Sequence, residues 1–376
     1  MKKCLLFLIF ISQLFFIANA TDAFKADNSL PRTIPAMNLM WNDEFNVDGK
    51  PNAAYWKYEN GFVRNEELQW YQSANATVSN GLLVLTARRE KIANPNFVAG
   101  STDWKKKRQF AEYSSASIKS SGLVAYQFGL IEVRARIDTT KGSWPAIWTL
   151  GVSGEWPSNG EVDIMEFYRI NNIPSILANV AWGTNTRWVA KWDGANKPLS
   201  YFLKKDPQWP QKFHVWRMDW TKDSIRLYLD DELMNYTLLN QTINGITPPV
   251  NPFLQKHYFL LNLAIGSNGG DPSKSIFPVT YEVDYIRVYQ SNPTEIKTNK
   301  VESIKTSFKN NQVEIKTPAN LLPMKAAIYA VNGIKLSSFN IDSEFKIVPL
   351  DQLPKGIFFL RAMNKDASIN RKFIII

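Results

Sequence analysis

Gly160-Glu161-Val162-Asp163-Ile164-Met165-Glu166-Phe167 sets three carboxyl groups within six residues, interleaved with Val, Ile and Met and closed by Phe. Alternation of polar and apolar residues marks a strand with one wet face and one buried face. Glu161 and Asp163 are two apart, so they share a face. Glu166 follows Glu161 by an odd step, which in a regular strand points it at the buried side. An unpaired carboxylate left there is strongly unfavourable. A one-residue bulge at Ile164-Met165 restores parity and predicts all three acids on the same side. The outer two Cα atoms then stand ~13 Å apart, at about 3.3 Å per remaining strand step.

Two carboxyls at that spacing suggest acid–base chemistry. Only long side chains leaning towards each other close the gap to the ~5–5.5 Å of a retaining glycosidase pair, and Glu at both ends suits that need. The shorter Asp163 lies between them, placed to hold or share a proton. The competing reading is a surface strand with solvated acids. Acidic strands are disfavoured by propensity, and aromatic residues, not lysines, flank these acids. The stretch reads as catalytic.

Outward from it, short alternating runs recur between Gly, Asn, Asp and Pro. Examples are Gly81 to Ala87, Gly129 to Arg136, Ser224 to Leu229, Tyr258 to Leu263 and Tyr281 to Tyr289. No long 3.6-residue period and no glycine-rich phosphate loop occurs. Many strands without intervening helices predict an all-β, antiparallel jelly-roll sandwich. When one of its sheets curves, it offers a concave groove for a polymer. The chain carries 13 Trp, 14 Tyr and 22 Phe, and aromatic faces grip the apolar faces of sugar rings.

The 376 residues suggest one large domain, 39–290, with something appended. Residues 1–20 read as a signal peptide: Lys2-Lys3, an apolar run from Leu5 to Ile17, then Ala18-Asn19-Ala20. The run is too short to span a membrane, so a secreted or cell-surface protein is expected. Residues 21–38 read as a leader. Cys4 is the only cysteine, which leaves the mature chain without disulfide, catalytic thiol or Cys-based metal site. The net charge of +10 hints at nucleic acid, but beyond Gln290 there are 13 Lys/Arg against 7 Asp/Glu. The excess belongs largely to the tail and is read as solvated surface, with no nucleic-acid partner. A monomer is expected.

A polar linker (291–302) leads to a second set of strands: Gln312 to Lys316, Met324 to Ala330, Phe345 to Val348, Gly356 to Ala362 and Lys372 to Ile376. A turn at Val331-Asn332-Gly333 supports a hairpin. These residues (303–376) read as a small β-sandwich module. It holds no cluster of acids or His and is assigned no chemistry.

The larger domain resembles glycoside hydrolase family 16, the β-glucanases of laminarinase and lichenase type. The motifs occur in the family's order from about Leu39 to Gln290: Trp41 to Phe45, Asn65 to Tyr71 (the family's Asn-Glu-Leu-Gln box with one extra residue), Phe128 to Arg134, Gly142 to Trp148, the bulged acid motif, Ile265-Gly266 and Val283 to Tyr289. The resemblance implies a concanavalin A-like jelly roll and an endo-acting, retaining hydrolase of β-1,3- or mixed β-1,3/1,4-glucan. It makes Glu161 the nucleophile, Glu166 the acid/base and Asp163 the residue that orients Glu161. The candidates for sugar binding are Asn65, Glu132, Arg134, Trp144, Trp148, Trp156 and Trp182, with Trp144 and Trp156 favoured over Trp148 as platforms. For Glu132 and Arg134 the alternative is a cross-strand salt bridge. No cofactor serves catalysis. A structural calcium on Asp284, Glu44 and the carbonyl of Gly81 is implied, since hard oxygen ligands suit Ca²⁺.

Two departures stand out. Where the glucanases usually carry a Val-His-Gly-Thr-Val-His stretch, this chain has Leu177 to Trp182, and its two histidines, His214 and His257, lie elsewhere. The loop Gly266 to Gly270 lacks the family's frequent Trp. Both leave the polymer open, with a galactan (agarose or carrageenan type) as the variant. A non-hydrolytic glucan-binding protein is the other class, but such proteins lose one or both Glu. Trp182, Trp188 and Trp192 do not follow one strand face, so at least one is expected on a cleft loop. The tail resembles the type IX secretion sorting domain at Ala327 to Gly333, Leu350 to Phe358 and Lys372 to Ile374, which implies the secretion machinery as a partner.

Overall fold

The computed structural model describes residues 37–246, 249–291, 304–309, 311–330, 334–364 and 368–375. The expected signal peptide (1–20), nearly all of the leader and linker, and the Val331-Asn332-Gly333 turn lie outside the described residues. Met37 and Asn38, expected in the leader, instead open the strand Met37–Asp43. The chain divides into two compact units, Met1–Ser291 and Asn292–Ile376.

The first unit is a sandwich of two antiparallel sheets with one α-helix, Leu199–Lys205, among its described residues. One sheet has seven strands in the order Ala190–Pro198, Ile173–Gly183, Glu161–Ile170, Ser143–Gly151, His257–Ile265, Ser117–Lys119 and Lys57–Tyr58. The other has eight, with Gly129–Arg136 and Val279–Ser291 paired at its middle. Consecutive residues of each strand serve opposite faces. From the seven-stranded sheet Ile147, Val162, Phe167, Val180 and Leu261 point inward, where they join Ile131, Val133, Ile286 and Val288 of the eight-stranded sheet in one core. That arrangement is the expected jelly-roll sandwich.

The expected bulge is present. Asp163 pairs with Asn179 and Glu166 with Leu177, so three steps on the acid strand meet two on its neighbour. On the other side Glu161 lies opposite Leu150 and Glu166 opposite Ala146. The bulged Ile164 and Met165 both enter the core at no more than 2% exposure, which lets Glu161, Asp163 and Glu166 share the outer face.

The second unit has its own core. Lys305–Lys309, Gln312–Lys316 and Phe345–Pro349 form one sheet; Lys335–Ile341, Met324–Ala330, Gly356–Met363 and Ser368–Ile375 form another. Val313 and Ile315 of the first pack with Met324, Ile328, Leu360 and Phe373 of the second. Two of these strands, Lys305–Lys309 and Lys335–Ile341, were not anticipated; their burial is slight and their alternation faint.

Candidate active site

The outer face of the seven-stranded sheet carries a cleft of about 830 Å³. Even steps along each strand, interrupted only by the bulge between Asp163 and Glu166, supply its floor. Trp144, Ala146, Trp148 and Leu150 come from one strand, Glu161, Asp163, Glu166 and Tyr168 from the next, and Tyr258, Leu260 and Asn262 from a third. Of the sugar-binding residues expected, Asn65, Trp144, Trp148 and Trp156 line it.

Among the described residues no cation bonds the three acids, which take neutral donors. Trp156 Nε1 donates to Glu161 Oε2 at 2.6 Å. Trp144 Nε1 donates to Glu166 Oε1 at 2.9 Å, and Asn179 Nδ2 to Glu166 Oε2 at 3.1 Å. Burial pushes the Glu166 carboxyl up to about 7; the Glu161 charge adds to this, and the Trp144 and Asn179 hydrogen bonds oppose it. Glu161 is also raised by burial, and its bonds from Asp163 and Trp156 hold it back. Asp163 rises furthest, first through burial and then through the charges of Glu166 and Glu161. Its carboxyl bonds to Glu161, and Asp163 Oδ2 meets no conventional donor. A hydrogen bond from Asn179 opposes the rise of Asp163.

Several neighbours were missed. Asn179 sits in the stretch that replaces the family's histidines, and its position opposite Asp163 was visible only through register. Glu59 and Arg64 enter the cleft from a remote segment, and Glu67 and Tyr258 come from quoted motifs in which they were not singled out. Trp192 lines the cleft from the strand Ala190–Pro198, half exposed.

Four expectations need correction. Trp182 is 5% exposed in the sandwich core; it is an odd step from Asn179 and therefore faces inward. Of the three neighbouring Trp, Trp192 takes the cleft position. Glu132 and Arg134 lie on Gly129–Arg136 in the eight-stranded sheet, away from the cleft. Arg134 bonds Asp284, and Glu132 lies between Arg217 and Arg287 in register, so these residues make the cross-strand network and not a sugar site. The calcium ligands are the fourth. Glu44 receives Arg287 Nε at 2.9 Å and Nη2 at 2.8 Å, and Asp284 is held by Arg134. Both carboxylates are already neutralised by guanidinium groups. Gly81 is left with only a backbone carbonyl in a hairpin turn at φ +76°. These residues do not fit a calcium ion. Among the described residues no group of three or more His, Cys, Asp or Glu converges to hold a metal.

The two histidines are structural. His214 stacks on Trp209 at 4.0 Å and bonds Asp230. His257 is buried against Thr149 and the Pro252 carbonyl, and burial lowers it to about 4.

A profile of the glycosyl hydrolases family 16 matches residues 64–261, a span that holds the acid strand and most of the cleft. The chain belongs to glycosyl hydrolase family 16. Among family members, a beta-glucanase of Rhodothermus marinus is 33% identical over 276 residues, covering 68% of this chain and 86% of that protein. A solved structure of SCLam, described as a non-specific endo-beta-1,3(4)-glucanase from family GH16, is 32% identical with a TM-score of 0.56. It covers 71% of this chain and 96% of its own. A structure from work on endo-acting O-glycanases of the human gut microbiota is 32% identical with a TM-score of 0.63, covering 73% and 98%.

Proposed function

We propose that this family 16 enzyme is an endo-acting β-glucan hydrolase that cleaves β-1,3- or mixed β-1,3/1,4-linkages with retention. The observation that carries the mechanism is the shared face of Glu161 and Glu166 across the bulge, with Asp163 between them. Glu161, the less raised of the two, attacks the anomeric carbon as the leaving oxygen takes the proton of Glu166. The C1–O bond to the leaving sugar breaks and a glycosyl ester on Glu161 forms. Glu166, now ionised, removes a proton from water, which attacks C1 and releases Glu161. Asp163 holds a proton against Glu161 and keeps the two Glu from ionising together. Trp144, Trp148 and Trp156 offer ring faces to the sugars, and an open cleft admits the interior of a chain. The β-glucan reading draws on the Rhodothermus marinus and SCLam relatives. The O-glycanase likeness supports a second reading, the same chemistry on mucin glycans. Mass spectrometry of the products from laminarin, lichenan, agarose and mucin glycans decides between them. Oligosaccharides from the glucans alone are expected.

The tail is proposed as a secretion sorting module that brings the enzyme to the cell surface or medium. In support, it is a separate sandwich whose residues, 292–376, contain no Trp and only Tyr329 as Tyr, a poor composition for a carbohydrate-binding module. Its deletion should leave the enzyme inside the cell with its activity intact.

A further inference from the structure

The Asn65 to Tyr71 stretch opens on an unusual turn at the cleft wall. Asn65 and Glu66 are consecutive non-glycine residues in the left-handed region, at φ +56° and +50°. Such backbone persists only where its surroundings hold it. Here Glu66 turns outward to Lys107 at 3.6 Å, Asn65 Nδ2 reaches Glu67 Oε1 at 3.3 Å, and Arg64 is left facing the cleft.

Arg64 is built in on every side but one. Its Nη2 bonds Glu59, and Glu59 is in turn held by Ser117 Oγ at 2.8 Å. Its guanidinium lies 5.1 Å from the centre of the Trp148 ring, which fixes the plane of the fork. Trp148 is itself locked by its Nε1 bond to Asn262 Oδ1 at 2.7 Å, and sits beside Asp163 in register. A second nitrogen, Nη1, is buried and has no hydrogen-bond partner among the described residues. A buried donor of this kind is costly to leave unmade. A rigidly held donor in a substrate cleft invites a ligand oxygen. The charge of Arg64 is already answered by Glu59, so the free N–H suits a neutral acceptor. Among the described residues that line the cleft Arg64 is the one cation, and it is already paired with Glu59, so an anionic substituent finds no free cation there.

We propose that Arg64 is the residue that reads the substrate on the Trp148 side of the acids, donating from Nη1 to a hydroxyl of an uncharged sugar, and that this subsite rejects sulfated or carboxylated chains. The inference rests on the glycosidase reading of the same cleft and narrows its substrate class.

Arg64→Met alone would strand the buried Glu59, so the test uses Arg64→Met paired with Glu59→Gln, and separately Arg64→Lys. The parent is assayed on neutral laminarin and lichenan and on sulfated laminarin. Binding of a neutral β-1,3-gluco-oligosaccharide is measured by calorimetry in a Glu166→Gln background. The double variant is expected to raise KM and Kd roughly 10- to 100-fold with a melting temperature near that of the parent, the range of one charged-donor hydrogen bond. Arg64→Lys, which lacks the fork, should recover little of this. Sulfated laminarin should be cleaved at least tenfold more slowly than laminarin. Unchanged KM and Kd in a folded double variant, or equal rates on neutral and sulfated chains, would overturn the proposal. A parent inactive on every neutral glucan would overturn the functional reading instead, and the two failures are therefore separable.

Discussion

The two sheets of the sandwich both carry carboxylates on their outer faces, but they treat them in opposite ways. On the eight-stranded sheet Asp284 is paired with Arg134, Glu282 with Arg136 and Glu44 with Arg287. On the seven-stranded sheet Glu161, Asp163 and Glu166 meet indole and amide donors and one another. A carboxylate paired with arginine is stabilised as an anion and holds strands together. A buried carboxyl with only neutral donors keeps its proton to higher pH and is available for transfer. The same residue type is architecture on one face and chemistry on the other.

The sharpest break in this contrast comes from the acids themselves. Glu166→Gln removes the transferable proton while preserving shape, and kcat should fall by roughly 10²–10⁴-fold, the span of general acid–base catalysis. Glu161→Gln should be at least as severe, because no glycosyl ester can form. Azide added to Glu161→Ala should restore partial turnover and give the product of inverted anomer. Either Gln variant retaining near-parent activity would sink the mechanism.

On the other sheet the same kind of truncation should act on stability alone. Arg134→Met removes the guanidinium that pairs with Asp284, which is 2% exposed. Breaking a buried pair in this way is destabilising by roughly 3–5 kcal/mol. Chemical denaturation should show that loss, with kcat of the folded enzyme unchanged. A fall in kcat without a fall in stability would return Arg134 to the sugar site.

The pH dependence sharpens the comparison further. Turnover needs Glu166 protonated and Glu161 ionised, so activity should decline about tenfold per pH unit above the Glu166 value of about 7. The stability sign follows from the same shift. A carboxyl whose folded value is raised favours the fold while protonated, and that advantage is lost as pH rises from about 4.5 to about 7. Glu166→Gln should therefore melt above the parent at pH 8 and close to it at pH 4. A pH-independent difference would mean that Glu166 is not the perturbed group.

The smallest effect distinguishes two tryptophans. Trp192→Ala removes a half-exposed ring from the cleft edge, and stacking of ~1 kcal/mol corresponds to about a fivefold rise in KM on long oligosaccharides. Its melting temperature should not move. Trp182→Ala empties a core position and should lower stability by about 3–5 kcal/mol with KM unchanged. The reverse pattern would reassign both rings.

The amino-acid sequence by itself determined the strand periodicity, the bulge and the common face of the three acids. These depend on near-neighbour spacing and on the penalty for burying a charge, and both can be counted along one strand. It favoured Trp144 and Trp156 over Trp148 as platforms, whereas the structure sets all three rings along the cleft. Only the tertiary structure decided which sheet each strand joins and what each polar group meets there. Glu132 and Arg134 have the spacing of a binding pair, yet their strand lies in the sheet opposite the cleft. Trp182 and Asn179 occupy one strand an odd step apart, and the register with Asp163 sent the amide to the acids and the indole to the core. Arg64 and Glu59 reach the cleft from a segment nearly a hundred residues before the acids. Contacts across such separations follow from sheet order and packing, which local periodicity does not encode.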